Sequence, residues 1–373
     1  MTAQTSTPIA VFVSAHGFGH AARACAVVEA LAVRDPALRF EIFTEAPEWF
    51  FSDSLRTHFR YHTLRTDVGL VQTTSLREDL PATLEVLERF LPFDGAEVAR
   101  VARQLEELGC AAALCDIAPF GIASAAAAGI PAVLIENFTW DWVYEHYAAA
   151  HPAFARFAAL MHDVFVHADM RIQTTPVCRR EPGAPLVAPV SRTPRTSAAA
   201  VRRRLSVPEG AAMVLLTMGG IPFRYDFLDH IARLPESTFF VVPGADKDAH
   251  PHPRCIGLPH RSGYHHPDLV AAADLVVGKL GYSTLAEAHA AAVRFAFVPR
   301  PTFPESAILA RFAVSEMMGF AVGAQEFSSG TWLDRVPEML AAPKPQPPAA
   351  TGAADAARLI HERLVRQARA GSS

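Results

Sequence analysis

The sequence predicts an α/β protein built from two doubly wound, parallel-sheet domains that face each other across a cleft. Three observations carry that prediction. Short apolar runs alternate with helical patterns along the whole chain, which is the rhythm of a parallel sheet with helices on its faces. The 373 residues suffice for two domains of ordinary size. The rhythm breaks once, in a Pro-, Arg-, Ser- and Thr-rich stretch at Arg179–Arg204 that reads as a linker, and then restarts.

In the first half, strands are expected at Ile9–Ser14, Phe40–Thr44, Ala111–Cys115 and Ala132–Ile135. Helices are expected at Ala21–Val33, Leu84–Leu108 and Gly121–Ala128, with Gly129-Ile130-Pro131 marking the return to a strand. In the second half, strands are expected at Met213–Met218, Phe239–Val242, Leu275–Gly278 and Phe295–Val298. The matching helices are Phe227–Leu234, Leu269–Ala273, Thr284–Ala292 and Ser306–Glu316. A proline-rich segment, Pro343 to Pro348, precedes a last amphipathic helix near Ala353–Ala368. The domains are read as 1–190 and 200–345, with 352–373 available to pack back on the first.

Composition narrows the function. Half the residues are hydrophobic and 19% are charged, so large cores can form. The net charge is −4 and no strongly basic block stands out, which argues against nucleic acid as a partner. Arg202-Arg203-Arg204 reads as a solvated helix face. The five cysteines show no paired spacing and read as small core residues, without a disulfide framework or zinc site. The N-terminus lacks a signal-peptide pattern and no apolar stretch reaches transmembrane length, so the expectation is a cytoplasmic protein.

The first informative loop is Ser14-Ala15-His16-Gly17-Phe18-Gly19-His20-Ala21-Ala22-Arg23. A strand, a glycine turn and a helix start make an oxyanion or phosphate site, and here a histidine stands where turn meets helix. Gly17 and Gly19 begin a dinucleotide fingerprint. Ala22 holds its third glycine position, however, and no acidic residue follows at the right distance, which speaks against NAD. Thr217-Met218-Gly219-Gly220 follows the first strand of the second half. It is either a close approach to phosphate or a plain tight turn.

The segment Lys279-Leu280-Gly281-Tyr282-Ser283-Thr284-Leu285-Ala286-Glu287 combines a strand end, a helix start capped by Ser283 or Thr284, a lysine and a carboxylate one turn in. A diphosphate beside a ribose diol satisfies that layout. A solvated lysine with a helix-favouring glutamate is the plainer alternative.

These residues resemble the GT-B glycosyltransferases, which carry two Rossmann-like domains, and the resemblance covers most of the chain. Lys279 to Glu287 is similar to the donor signature His-Cys-Gly-Trp-Asn-Ser and its following Glu in UDP-glycosyltransferases, with Lys279 replacing the phosphate-binding His. The Gly17–Arg23 loop is similar to that of the peptidoglycan N-acetylglucosaminyltransferase. It is most like glycosyltransferase-like proteins that resemble the N-terminal part of arabinokinases. The stretches Thr66–Gln72 and Asn137–Trp142 are similar to that group as well.

The resemblance implies transfer of a sugar from a UDP-type donor to an unidentified hydroxyl acceptor, inverting, with no cofactor and no essential metal. His20 would be the base and Asp116, at the end of a later strand, its orienting partner. It implies a donor side of Gly219, Gly220, Lys279, Gly281, Tyr282, Ser283, Thr284, Glu287 and Glu305, the last standing where a Gln reads the donor sugar. The expected acceptor side is His16, Gly17, Gly19, Gln72, Asn137 and Trp140, although the aromatics of that region can equally be core. A UDP-sugar hydrolase, an epimerase and a non-catalytic nucleotide-sugar-binding protein stay open as alternatives.

Overall fold

The computed structural model describes residues 7–74, 76–219, 225, 227–245, 252–349 and 352–370. They form two compact units. The first gathers the chain up to Val71, Glu78–Ser191 and the C-terminal helix; the second gathers Gln72–Arg77 and Arg192 through residue 349.

The first unit is built on a seven-stranded parallel sheet. Its order is Phe59–Thr63, Leu38–Thr44, Thr7–Val13, Ala112–Asp116, Ala132–Glu136, Met170–Thr174 and Leu186–Val187. The three central strands are buried along nearly their whole length, as expected of parallel strands covered on both faces. The direction of strand order reverses between Thr7–Val13 and Ala112–Asp116, where Val13 and Asp116 lie side by side. In open α/β sheets such a reversal opens a crevice at the carboxyl ends of the strands.

The helix Phe18–Arg34 covers one face through Ala21, Ala24, Val27, Val28 and Leu31. The last helix, Gly352–Ala370, packs on the same core through Ala353, Ala356, Ala357 and Ile360. Its packing back on the first domain is thus part of the fold.

The second unit repeats the plan with six parallel strands ordered Cys255–Leu258, Thr238–Pro243, Ala212–Thr217, Leu275–Lys279, Arg294–Val298 and Phe320–Ala321. Its two faces carry separate cores. One holds Met213, Leu215, Leu285 and Phe295; the other holds Val214, Leu216, Phe240 and Trp332. Here the order reverses between Ala212–Thr217 and Leu275–Lys279, with Thr217 beside Gly278.

Several expected elements differ. The helix expected over Leu84–Leu108 is two, Leu80–Phe90 and Gly95–Glu107, because Pro92 cannot continue the first and Asp94 caps the second. The helix expected over Phe227–Leu234 is a 3-10 helix, Leu228–Arg233. The helices Glu48–Ser54, Trp140–Ala148 and Phe154–Phe165 and the strands Phe59–Thr63, Met170–Thr174 and Cys255–Leu258 were not expected. The supposed linker holds the strand Leu186–Val187 and the helix Ala198–Arg204.

Nor is the basic run wholly solvated. Arg202 donates to Asp274 at 2.5 Å and to the carbonyls of Ala272 and Ala211, and Arg204 stacks on Tyr264. Cys25, Cys110, Cys115 and Cys255 are buried thiols and Cys178 is half-buried. Among the described residues no helix is long and apolar enough to cross a membrane.

Candidate active site

Each unit brings expected residues to its own sheet reversal. In the first, the helix Phe18–Arg34 begins earlier than the apolar pattern indicated, so His20 lies inside its first turn. Gly17 is the N-cap, at φ 78°, a left-handed conformation that favours glycine. That first turn has no side-chain cap and no acidic residue, so its N–H groups point outward at the strand ends.

His20 is buried, and its Nδ1 lies 3.1 Å from Asp116 Oδ1. The carboxylate accepts a hydrogen bond from the Nδ1 N–H, which makes Nε2 the accepting nitrogen of the ring. Asp116 ends its strand, and Ile117 next to it has φ 43°. A β-branched residue in that region is strained by about 1–3 kcal/mol, the kind of local cost found beside functional groups.

A third residue completes the group. Arg23 donates from Nε to Asp116 Oδ2 at 2.8 Å and from Nη2 to Oδ1 at 2.6 Å. Its Nη1 donates to Asn137 Oδ1 at 2.6 Å. Burial alone would raise the Asp116 pKa. The Arg23 charge and the hydrogen bonds from His20 and Arg23 outweigh it, and the carboxyl is held below the usual range. Arg23 carries no expected role in the loop Ser14–Arg23. An arginine in an otherwise apolar helical face was the available signal, since a buried guanidinium needs partners.

His16 Nδ1 accepts from the Leu70 N–H at 3.3 Å, so its ring proton sits on Nε2, the reverse of His20. His16 is thereby a donor rather than a second base. Gly69 makes this contact possible, because a Cβ there would lie 2.8 Å from His16 Nδ1.

Asn137 and Trp140 are fully buried and serve as internal supports. Asn137 holds Arg23, and the Trp140 indole donates to Asp67 Oδ2 at 2.7 Å while its ring meets His16 edge-on. Burial pushes Asp67 up to about 6 against the hydrogen bonds from Ser14 and Trp140. Gly19 is half-buried in the same first helical turn as His20. Gln72, expected with this group, opens the short strand Gln72–Thr74 and belongs to the second unit, where the neighbouring Leu76 packs on a core.

In the second unit, Gly219 lies just beyond one of the two strands at the reversal and Lys279 ends the other. A Cβ on Gly219 would lie 3.6 Å from Lys279 Nζ, so the ammonium hangs over the glycine turn. Gly220 lies outside the described residues. The helix Tyr282–Ala290 starts one residue before Ser283, with Gly281 as N-cap and no side-chain cap. Ser283 and Thr284 are therefore first-turn residues, which leaves the helix N–H groups uncapped by side chains.

Tyr282 is buried in the core that holds Met213 and Leu285. Glu287 is buried and already ion-paired. Arg192 donates to its Oε1 at 2.8 and 3.0 Å, and His266 Nδ1 lies 2.7 Å from Oε2. Burial would raise this carboxyl, but Arg192 and His266 hold it down to about 2. Glu305 opens the helix Glu305–Met317, buried, with Arg300 Nη2 at 3.8 Å from its Oε2. Among the described residues no group of three His, Cys, Asp or Glu side chains is placed to hold a metal ion.

No protein-family model matches the chain. L-arabinokinase of Arabidopsis thaliana is 28% identical over 331 residues, 87% of this chain and 31% of that protein, so the chain spans about a third of that relative's length. Among solved structures, a Polygonum tinctorium UDP-glucosyltransferase capable of glucosylating indoxyl aligns with TM-score 0.65 at 13% identity, over 96% of this chain and 99% of that one. MurG of Acinetobacter baumannii aligns with TM-score 0.55 at 14% identity, again over 96% and 99%. With two parallel-sheet α/β domains in one chain and these likenesses over nearly its full length, the protein has the GT-B glycosyltransferase fold.

Proposed function

We propose that the protein is a nucleotide-sugar-dependent glycosyltransferase that moves a sugar from a UDP-type donor to an acceptor hydroxyl with inversion. The observation that carries this reading is the buried His20–Asp116 pair at the sheet reversal. His20 Nε2 takes the acceptor hydroxyl proton as the oxygen attacks the anomeric carbon from the face opposite the diphosphate. The anomeric C–O bond breaks, and UDP leaves with the electron pair. Asp116 fixes the ring and stabilises the imidazolium that forms.

The charge that grows on the leaving diphosphate meets Lys279 and the N–H groups at the start of Tyr282–Ala290. This reading calls for no metal, so a chelator leaves the rate unchanged. His16, with its proton on Nε2, donates to a substrate oxygen. Glu287 keeps His266 and Arg192 in place beside the donor. The likeness to a UDP-glucosyltransferase supports the donor class. The kinase activity named for the arabinokinase is not carried over, because most of that protein lies outside the match.

Calorimetric titration of UDP tests the donor assignment. Wild type binds, and Lys279→Met binds about tenfold or more weakly, as loss of a charge-assisted phosphate contact implies. Absence of UDP binding in wild type contradicts the reading. UDP release from a UDP-sugar at full rate without any acceptor would instead mark a hydrolase.

A further inference from the structure

We infer that Arg23 is the positioning residue of this site: its guanidinium fork clamps Asp116 against His20 and balances the Asp116 charge, so that the ring is held oriented as a base. The inference rests on the role proposed for His20.

Geometry carries the first half of the claim. Arg23 lies three residues after His20, on the same face of one helix. It is 1% exposed, so its charge has lost its water and must be matched inside the protein. The match is complete in shape. Two parallel N–H···O bonds of 2.8 and 2.6 Å engage both oxygens of Asp116, and a third of 2.6 Å ties the outer nitrogen to Asn137. A fork of this kind fixes the plane of the carboxylate as well as its position. Asp116 Oδ1, pinned by Nη2, is the same oxygen that faces His20 Nδ1.

Charge carries the second half. A lone buried carboxylate beside an imidazole draws a proton onto the ring, and a protonated ring cannot act as base. Here Arg23 Nη2 lies 3.4 Å from His20 Nδ1 and offsets that pull. The Arg23 charge balances the Asp116 charge beside the ring.

Other groups also surround His20. Asp67 acts on it from the stretch Thr66–Gln72, the Phe138 and Trp140 rings meet it from the segment Asn137–Trp140, and His16 stands against the same Trp140. Glu136 acts on Arg23 rather than on His20.

The test is an NMR titration of the His20 ring protons in the full-length protein, alongside the acid limb of kcat/KM for UDP-sugar turnover. In Arg23→Gln the His20 midpoint rises by about one pH unit or more, because Asp116 is no longer balanced. In Arg23→Lys, which keeps the charge and loses the fork, the rise is smaller. In Asp116→Asn the uncompensated Arg23 lowers the midpoint. The acid limb moves in the same direction in each variant that turns over.

A folded Arg23→Gln protein with an unmoved His20 midpoint overturns the inference. If that variant does not fold, Asp116→Asn decides, and an unchanged or raised midpoint overturns it. The titration needs no turnover. Shifted midpoints in a protein that releases UDP from no UDP-sugar would uphold the clamp and overturn the transferase reading.

Discussion

Three carboxylates near the first sheet reversal illustrate how partners decide the state of a buried acid. Asp116 has an arginine fork and is held ionised. Asp67 accepts from the neutral donors Ser14 and Trp140, and burial pushes it to about 6. Glu136 is pushed by burial to about 7 from an ordinary 4.5, against a 2.6 Å hydrogen bond from Gln173.

The Glu136 shift has a consequence for stability. The folded state binds this proton more tightly than the unfolded chain does. The favourable contribution is therefore complete below about pH 4.5 and is lost as pH rises through about 7. Replacing Glu136 with Gln removes the titration and keeps an acceptor for Gln173. We predict that Glu136→Gln stabilises the protein by roughly 1–3 kcal/mol at pH 8 and has little effect at pH 4.5. Urea unfolding at the two pH values checks it, and an equal effect at both would contradict it.

Among the elements, the C-terminal helix ties the end of the chain to the first sheet. Ala353, Ala356, Ala357 and Ile360 form one stripe at helical spacing, and all are buried against the helix Phe18–Arg34 and its strands. Ile360→Ala leaves a cavity in that seam, with an expected loss of about 2–4 kcal/mol in urea unfolding. A change under about 0.5 kcal/mol would show that the seam bears little of the fold.

The central strands were legible because a buried parallel strand is an unbroken apolar run, as in Ile9–Val13 and Leu275–Val277. Phe59–Thr63 was not, because it mixes polar and apolar residues and stands half-exposed at an edge. Trp140–Ala148 escaped because its aromatics and acids read equally well as a ligand loop. Leu186–Val187 hid in a Pro-rich composition that signals a linker.

At the scale of the whole molecule, each unit gathers polar groups at its own sheet reversal, the His20–Asp116 pair in one and Lys279 against Gly219 in the other. The meeting of His20 with Asp116 and the place of Lys279 at a strand end were readable from sequence, because turn glycines and strand ends mark the carboxyl edge of a parallel sheet. Arg23, Arg192 and His266 were not, since ion pairs between positions 23 and 116, or 192 and 287, leave no local pattern.

The central claim is base-catalysed sugar transfer, and the most direct measurement is UDP release with an array of UDP-sugars and hydroxyl acceptors by wild type and His20→Ala. The account predicts acceptor-dependent turnover by wild type. It predicts a loss of about 10²–10⁴-fold in His20→Ala, with UDP affinity retained. Full turnover in His20→Ala would contradict it.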